Sequence, residues 1–398
     1  MRAVIVPLLC CPVSRQGLRL WVEKGELAPL PEGIALEAYS EAELRRVVEE
    51  SNLEEPPAAA AGEASLAERL MGYEVMEGAL YTADRRHVYP IVAGIPRLLP
   101  PDVAQHPAAI EHYRRRLDAE APSTREMSGE WKKILEHNIE SYTIQWSEFE
   151  YDETTWGFTL DDRFEMIQDE LGIRGELSAW SGKRHVDAAC GNGTLAIRTA
   201  EIGLEVFAFD QSHSIERAFA FSRDRRLPHS GIVHFIQGNL VAPPLQPGRF
   251  DMLYSGGAIH MTPDFEHTLG ELARLLRPRA SRMYVWTGRR RVIVGLLYDT
   301  IRIVLSAFPV PARRVVARIG VIPYMGIQWV LRAIYGARAF PRLSFNENLV
   351  RFLDAASHRF GQVPSAAVFE DMVARLEFDS QETKRPGHRG YGILAVRR

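Results

Sequence analysis

Cysteine is scarce in this 398-residue chain, which has three, and two of them, Cys10 and Cys11, are adjacent. Three cysteines cannot build a disulfide framework, so the chain depends on a hydrophobic core and suits a reducing compartment. Long apolar runs are lacking too, because Pro7 and the cysteine pair interrupt the apolar stretch that begins at Ala3. That stretch is too short for a secretory signal peptide, and we expect a cytoplasmic protein.

Charge of one sign is not in excess overall. The 51 acidic and 48 basic residues leave a net charge of -3, which argues against a globally basic nucleic-acid binder. The distribution is uneven, however, because residues 279–342 contain twelve arginines and one acid, Asp299. With 46% hydrophobic and 25% charged residues, a chain of this length predicts two globular domains, each with a core.

The segment from His185 to Gln211 is the centre of the predicted fold. It contains a buried strand ending near Asp187, a turn with Gly191 and Gly193, a helix, and a second strand ending on Asp210. In a doubly wound α/β sheet, such a unit lets backbone N–H groups approach a ligand while the terminal acid binds a ribose diol. The pattern therefore predicts a nucleoside ligand, with a purely structural turn as the alternative.

This segment resembles the first motif of class I S-adenosylmethionine-dependent methyltransferases, in which an acid precedes three alternating glycines. Asp187 matches the acid, Gly191 and Gly193 match two glycines, and Ala189 stands where the first glycine is usual. The resemblance implies S-adenosylmethionine as cofactor and S-adenosylhomocysteine as product. The acid of the motif would support the amino end of the cofactor, and the acid after the second strand would bind the ribose. The residues implied here are Asp187, Ala189, Gly191, Gly193, Asp210 and Gln211.

A second motif of the family follows the third predicted strand, Val233 to Ile236. There Asn239 and Leu240 occupy the position at which the family commonly has an Asp that reads the adenine amino group. An asparagine still offers a carbonyl acceptor, and its NH2 group can donate to a ring nitrogen. Asn239 and Leu240 are therefore predicted to bracket the adenine.

The segment after the fourth predicted strand, Ser255 to Asp264, is also informative. It resembles the Ser-x-Gly-Val-Leu-His-His-Thr-Pro-Asp run of a bacterial methyltransferase subfamily. Ser255 and Gly256 would lie at the carboxyl end of a strand, where such sheets bind ligands. His260 matches the first histidine of the run and is the candidate general base. Its alternative role is packing against the cofactor or a neighbouring loop.

Aromatic residues cluster before the first strand of the sheet, in the stretch Tyr142-Thr143-Ile144-Gln145-Trp146. One interpretation is a helix that docks its aromatic side chains on the sheet. The stretch also resembles the Phe/Tyr-x-x-Gln-Trp segment with which many small-molecule methyltransferases cover the cofactor. On that resemblance, Tyr142, Gln145 and Trp146 are assigned to the cofactor site.

The predicted fold class is α/β, a seven-stranded doubly wound sheet of the Rossmann-like methyltransferase type. It is accompanied by a small N-terminal α+β ribbon domain and a helical insertion. The predicted divisions are residues 1–105 for the ribbon, 106–150 for a linker with cofactor-covering helices, and 151–398 for the methyltransferase domain with an insertion at 289–342. The strand pattern in Phe378 to Thr383 and Tyr391 to Val396 supplies the last two strands. In the methyltransferase family that the chain resembles, an antiparallel seventh strand distinguishes the sheet from that of a dehydrogenase.

The N-terminal ribbon is predicted from an apolar strand at Ala3 to Leu9 and a hairpin that ends in the stretch YPIVAGIPRLLP. It resembles the small zinc-ribbon family to which the activator subunit of tRNA and protein methyltransferases belongs. A zinc site needs four ligands, usually as two close pairs. In the first pair only Cys11 is present, because Ser14 stands where the second ligand would be. Asp84 and His87 are poor substitutes for the second pair. No metal is expected, and the ribbon is predicted to be structural or an interaction surface.

The insertion contains helical patterns at Val292 to Ala307, Ala312 to Ile319 and Ile327 to Tyr335. None reaches the roughly 20 uninterrupted apolar residues that cross a bilayer. The predicted role is a lid over the acceptor pocket or a homodimer surface, and the competing role is peripheral contact with an anionic membrane. The arginines would equally attract an acidic acceptor.

The predicted activity is transfer of a methyl group from S-adenosylmethionine to a small-molecule acceptor, anionic or apolar, in specialised metabolism. One alternative is a tRNA or ribosomal methyltransferase, suggested by the ribbon and the arginine-rich insertion. Another is a non-catalytic, methyltransferase-like binding module, suggested by Ala189 and Asn239. The insertion is as apolar as it is basic, which favours an enclosing pocket over a nucleic-acid partner. The sequence leaves open whether oxygen, nitrogen or carbon is methylated.

Overall fold

The computed structural model describes most of the chain. The described residues are 1–53, 64–100, 103, 105–119, 129–147, 158–224, 231–288, 308, 310–336, 342–357, 363–383 and 390–398. The helix predicted at Val292 to Ala307 lies outside these residues.

A small antiparallel sheet forms the N-terminal part of the protein. Its strands, in spatial order, are β1 (Leu18–Leu27), β2 (Tyr73–Thr82), β3 (Val88–Val92) and β4 (Ile95–Pro96). The hairpin predicted in this region is confirmed, since Gly78 to Tyr81 of β2 pair antiparallel with Val88 to Ile91 of β3.

The second sheet has seven strands. They are β5 (Arg184–Ala188), β6 (Glu205–Asp210), β7 (Ile232–Gln237), β8 (Met252–Gly256), β9 (Arg282–Gly288), β10 (Phe378–Thr383) and β11 (Gly390–Arg397). Their spatial order is β10-β11-β9-β8-β5-β6-β7, with β5 to β9 parallel and β11 antiparallel to both of its neighbours. The predicted α/β fold class, including the antiparallel last strand, is confirmed.

Twelve α-helices are present in the described residues. They are α1 (Glu41–Glu49), α2 (Leu66–Met71), α3 (Pro107–Arg116), α4 (Gly129–Ser147), α5 (Leu160–Glu170), α6 (Leu177–Trp180), α7 (Thr194–Ala200), α8 (Ser214–Asp224), α9 (Phe265–Ala273), α10 (Val310–Tyr335), α11 (Phe345–Ser357) and α12 (Ala366–Arg375). Ser40 caps α1, because its side chain accepts a hydrogen bond from the Glu43 backbone N–H.

The strand predicted at Ala3 to Leu9 was wrong, because Ala3–Leu8 is a 3-10 helix. Its residues from Ala3 to Val6 are all buried, and a short run that is apolar on every side fits a buried helix as well as a strand. Pro7, which lacks an N–H, lies inside this helix.

The insertion also departs from its prediction. Two helices were expected at Ala312 to Ile319 and Ile327 to Tyr335, but α10 is one continuous helix that includes Pro323. Proline removes one backbone hydrogen bond and usually marks a break. Here, Ala317 and Val321 before the proline are buried against α11 in a small hydrophobic cluster, and this packing holds the helix together.

The N-terminal domain and the large sheet share one hydrophobic core. The largest cluster of buried side chains joins Val4, Ile5 and Leu20 to Phe207 and Phe209 of β6. A second cluster lies on the other face of the sheet and involves α5, α7 and the alternate residues of β6. One face of the large sheet is therefore covered in part by the N-terminal domain.

Backbone hydrogen bonds join the two parts at the edge of the large sheet. Leu98 N–H donates to Gln237 O at 2.8 Å, and Arg97 pairs with Gln237 as a parallel bridge at the end of β7. Leu9 pairs with Leu245, in the connection between β7 and β8. Since β7 is the edge strand, these contacts cover backbone groups that would otherwise be open to another chain.

A buried ion pair lies where the two parts meet. Arg184 Nε is 3.0 Å from Glu205 Oε2, His234 Nε2 is 3.1 Å from Glu205 Oε1, and the Tyr39 hydroxyl donates to the same oxygen. Burial alone would raise the pKa of Glu205, but its hydrogen bonds and the Arg184 charge outweigh burial and lower it. Tyr39 thereby ties the N-terminal domain to β6.

Cys11, the one ribbon cysteine that matches a zinc ligand, makes hydrogen-bonding contacts with protein groups. Cys11 is fully buried, its Sγ lies 3.1 Å from the Tyr89 hydroxyl, and it accepts a hydrogen bond from Ser14 N–H at 3.2 Å. Asp84 accepts hydrogen bonds from Thr82 and from the Arg86 backbone. Apolar packing around Cys11 and Leu20 holds this region together, as the sequence predicts.

Among the described helices, none combines the length and apolarity needed to cross a bilayer.

Candidate functional site

The predicted cofactor residues converge on the carboxyl edge of four adjacent parallel strands, β8, β5, β6 and β7. Register places Asp187 beside Tyr254, and Asp210 beside Gln237. The residues brought to this edge are Asp187, Ala189, Gly191, Gly193, Asp210, Gln211, Asn239, Leu240, Ser255 and Gly256. This edge is where doubly wound sheets bind ligands, because the turns that follow the strands open there.

The glycine turn after β5 has three residues with positive φ. They are Ala189 at 65°, Gly191 at 57° and Gly193 at 71°. A Cβ on Gly193 would come within 2.6 Å of the Ala218 Cβ, so only glycine fits at this start of α7. Ala189 holds a conformation that L-residues rarely adopt and that glycine adopts without strain.

We expect Ala189→Gly to raise the free energy of unfolding by up to about 1 kcal/mol. Relief of the left-handed strain is worth about 1–2 kcal/mol, and the greater freedom of glycine in the unfolded chain offsets part of it. The matched control is Ala188→Gly in β5, which should destabilise because Ala188 is fully buried in a regular strand. Urea denaturation of both variants measures the effect, and a destabilised Ala189→Gly would contradict the strain.

Asp210 organises this turn. Its Oδ2 accepts a hydrogen bond from Gly191 N–H at 3.0 Å, and its Oδ1 accepts from the Ser212 N–H and hydroxyl at 2.8 and 2.7 Å. The Ser214 hydroxyl donates to Gly191 O at 2.8 Å. Burial raises the pKa of Asp210, while these hydrogen bonds oppose the rise. Sequence reasoning missed the two serines, whose signal is the spacing Asp-x-Ser-x-Ser.

Asp187 is a buried carboxyl at the end of β5. Burial raises its pKa to about 7; the Arg163 charge opposes the rise, and the Asp210 carboxylate adds to it. Two acids buried this close together need a compensating cation or additional donors before both can ionise. Additional hydrogen-bond donors or a cation beside these two carboxyls would therefore favour their charged forms.

Asn239 lies at the end of β7 beside Gln211. Its Nδ2 donates to Gln211 Oε1 at 2.9 Å, and its Oδ1 accepts from Val241 N–H at 2.8 Å. The carbonyl oxygen keeps a second lone pair, which can accept from an exocyclic amine. Leu240 is buried next to it.

Helix α4 places the predicted aromatic segment over the glycine turn. The Trp146 indole lies against Gly191, since a Cβ there would be 2.8 Å from Trp146 Cε2. Gln145 is buried and Tyr142 is half-buried. The Thr143 hydroxyl, which sequence reasoning did not single out, accepts a hydrogen bond from His213 N–H at 3.1 Å. The helix is therefore anchored to the turn that follows Asp210.

The end of β8 carries a second set of polar groups. Ser255 Oγ is fully buried and has no hydrogen-bond partner within the part of the chain that the structure describes. His260 is buried in the 3-10 helix Ile259–Met261, edge-on to Trp286 with ring centroids 6.4 Å apart. Its Nε2 is 3.5 Å from the place that a Cβ on Gly288 would occupy. The imidazole thus faces the end of β9, where the insertion begins.

The insertion helix packs beside α4. Ala317 and Val321 of α10 share a hydrophobic cluster with Ile144 of α4 and with Leu349 and Phe352 of α11. These three helices form a cap next to the carboxyl edge of the sheet. Apolar contacts among α4, α10 and α11 hold this cap together.

One further cluster of ligand-type side chains lies beside the turn. His106, His213 and Glu216 place their donor atoms within 4.8 Å of one another. Arg97 Nη1 is 3.0 Å from Glu216 Oε1. The hydrogen bond with His213, together with the Arg97 charge, lowers the pKa of Glu216 to about 2 against the opposing effect of burial. An arginine already paired with the carboxylate disfavours a metal ion there. The cluster links the N-terminal domain to α8.

Comparison with known proteins matches two separate segments of the chain to different family models. Residues 186–281 match the model described as methyltransferase domain, and residues 5–94 match the model described as Trm112p-like protein. The first match begins in β5 and ends just before β9, so it includes the glycine turn, Asp210, Asn239 and His260.

Curated relatives match about 30% of this chain. Demethylmenaquinone methyltransferase of Lactococcus lactis subsp. lactis is 29% identical over 122 residues, which are 30% of this chain and 44% of that protein. The 27-O-demethylrifamycin SV methyltransferase of Amycolatopsis mediterranei is 29% identical over 126 residues, 30% of this chain and 43% of that protein. The chain therefore spans less than half the length of these relatives.

Solved structures match at low identity. Magnesium protoporphyrin IX methyltransferase from Synechocystis PCC 6803 with bound S-adenosylhomocysteine has 15% identity and a TM-score of 0.36, covering 73% of this chain and 95% of that one. A complex of the Haloferax volcanii Trm112 methyltransferase activator with a putative methyltransferase has 14% identity and a TM-score of 0.32, covering 59% and 94%. Residues 186–281 therefore match a methyltransferase domain and residues 5–94 match a Trm112p-like protein, and both regions belong to one chain whose seven-stranded sheet has the strand order given above.

Proposed function

We propose that this protein transfers a methyl group from S-adenosylmethionine to a small-molecule acceptor in a biosynthetic pathway. The observation that carries the proposal is the pair of buried carboxyls, Asp187 and Asp210, on either side of a glycine turn. A ligand with an ammonium group and a ribose diol would satisfy both. Ser255 Oγ, buried without a partner among the described residues, offers one more polar contact at the same edge.

The residues present fit that cofactor in kind. Asp187 would hold its amino end, Asp210 its ribose hydroxyls, and Asn239 its adenine. Trp146 lies against Gly191 and would cover the site from the α4 side. When bound, S-adenosylmethionine supplies an electrophilic methyl group. The protein's contribution is to hold the acceptor in line with that group and to exclude water.

His260 is proposed as the base that accepts a proton from the acceptor. It is buried near Trp286 and Gly288, so a proton taken by its ring is not exchanged directly with bulk water. A positioned base contributes about 10² to 10⁴ in rate when the acceptor must lose a proton. Once an acceptor is known, unchanged turnover by the His260→Ala variant would remove this role.

Cofactor titration by calorimetry tests the proposal. We expect the parent to bind S-adenosylmethionine and Asp210→Ala to bind it about 10- to 100-fold more weakly, because ligand donors would lose their acceptor. The control is Asp161→Ala, since Asp161 is an exposed acid that pairs with Arg198 at 3.1 Å. Thermal unfolding should show both variants folded. Equal affinities for all three proteins would refute the ribose assignment.

We also expect cofactor affinity to rise with pH. Burial raises the pKa of Asp187 to about 7. The unliganded fold therefore loses stability as pH rises from the ordinary aspartate pKa to about 7, where this carboxyl ionises. A cationic amino group beside it reverses that loss by favouring the carboxylate. Binding should tighten about ten-fold from pH 6 to pH 8 and release a proton at pH 6. Calorimetry in two buffers measures the proton, and Asp187→Asn should abolish both effects; a parent without pH dependence would count against the assignment.

A second candidate function is methylation of tRNA or of ribosomal components. The match of residues 5–94 to the Trm112p-like model and the twelve arginines of residues 279–342 favour it. The exposed side chains of α10 are mostly apolar, which favours a small-molecule acceptor over a nucleic acid. RNA binding that weakens steeply with salt would support the second candidate, and its absence at low salt would exclude it.

A further inference from the structure

Helix α10 exposes an apolar face. Trp329, Ile319 and Ile322 are 68%, 64% and 63% exposed. The exposed apolar residues of the helix are Val315, Ile319, Ile322, Ile327, Trp329, Val330, Ile334 and Tyr335. Most large apolar side chains of a soluble surface occur singly, whereas a continuous patch marks a binding surface.

This face is distinct from the face that packs on the protein. The buried residues of α10 are Ala317 and Val321, which contact the α11 side, with Tyr324 partly buried next to them. Ile319 and Ile322 follow a helical spacing on the other side and continue through Trp329, seven residues later. The helix is therefore apolar on both sides, and only one side is used within the described protein.

The same helix is cationic. Its 26 residues include four arginines and no acidic residue. Arg318 is exposed between the apolar residues, and Arg332 is half-buried near the other end. An apolar face with arginines among it fits a surface that is itself both apolar and negatively charged.

We propose that the exposed face of α10 lies on an anionic lipid bilayer. The helix is about 39 Å long but carries arginines toward both of its ends, and it does not combine the length and apolarity of a membrane span, so it suits the membrane interface. Trp329 has the amphipathic ring that occupies the headgroup level. The arginines would pair with lipid phosphates, and the isoleucines would enter the acyl boundary.

Two other occupants fit the face less well. In an isologous dimer the same helix meets itself, and neither copy of α10 contributes an acid that could pair with the arginines of the other. A nucleic acid would pair with the arginines but would leave the isoleucines and Trp329 in water. The bilayer alone satisfies both the charge and the apolar surface. The proposal does not depend on methyl transfer.

Vesicle sedimentation with the full chain tests this proposal. The probes are vesicles of phosphatidylcholine alone and vesicles in which about one third of the lipid is phosphatidylglycerol. We expect at least about ten-fold stronger partition onto the anionic vesicles at moderate salt. Ile319→Glu combined with Ile322→Glu should reduce that partition at least about ten-fold. Arg318→Gln should reduce it about five-fold on anionic vesicles only.

The matched control is Val368→Glu, which places the same charge at another exposed apolar position, on α12. It should leave partition unchanged, and circular dichroism should show that all variants are folded. Equal partition of the parent onto both vesicle types, or no loss in the double variant, would overturn the proposal. So would a dimer that forms without lipid and that the double variant dissociates, since the face would then belong to a second copy.

Discussion

Replacing Glu205 by alanine is expected to lower the free energy of unfolding by about 3–5 kcal/mol. The reason is that Arg184, whose side chain is 3% exposed, would keep its charge without its 3.0 Å partner. His234 and Tyr39 would lose their shared acceptor in the same step. Burial lowers the pKa of His234, so its ring is neutral in the fold. The ring therefore neither adds a second unpaired charge in the variant nor supplies an anion for Arg184.

The matched control is Glu41→Ala, which breaks an exposed ion pair with Arg45 on α1 and should change stability by less than about 0.5 kcal/mol. Chemical denaturation at neutral pH measures both variants. Because the pKa of Glu205 is lowered in the fold, its contribution is present above the ordinary glutamate pKa and is lost as pH falls below it. If the free energy of unfolding of Glu205→Ala lay within about 1 kcal/mol of that of the parent, the ion pair would not stabilise the fold.

Cutting the chain between its two parts is expected to leave them bound to each other. A protease site inserted between residues 119 and 129 would separate the Trm112p-like part from the methyltransferase sheet. We expect the halves to co-elute in gel filtration even at about 1 M salt, because the contact is apolar and salt screens only charge. The shared core of Val4, Ile5, Phe207 and Phe209 supplies that contact.

The control for this experiment is Leu9→Asp in the uncut and the cut chain. Leu9 is fully buried and pairs with Leu245, so an aspartate there puts an unpaired charge into the contact. The cut Leu9→Asp protein should come apart, whereas the uncut one should stay a single species. Separation of the parent halves at ordinary salt would mean that the two parts fold as independent domains.

Sequence reasoning recovered features that depend on local pattern. The seven strands, the glycine turn and the acids after β5 and β6 were predictable, since alternation of buried residues and the positions of Gly and Asp are read along the chain. The structure brings those acids together because parallel strands end at one edge. The roles of the site residues remain proposals.

The errors have a common cause, which is packing between distant segments. Ala3–Leu8 is helical although its residues suit a strand, and α10 continues through Pro323 where a local rule predicts a break. In both cases burial against other elements outweighs a preference worth a few kcal/mol at most. Thr143 was missed for the same reason, since only folding brings it to His213.

The sequence by itself determined the class of the sheet, the identity of the cofactor motif and the absence of a complete set of ribbon zinc ligands, because each rests on residue type and spacing. The tertiary structure alone decided that the Trm112p-like part and the methyltransferase sheet share a core, that Trp146 lies on the glycine turn, and that one apolar side of α10 stays uncovered within the described protein. These depend on contacts between residues far apart in the chain, which neither composition nor periodicity encodes in a readable form.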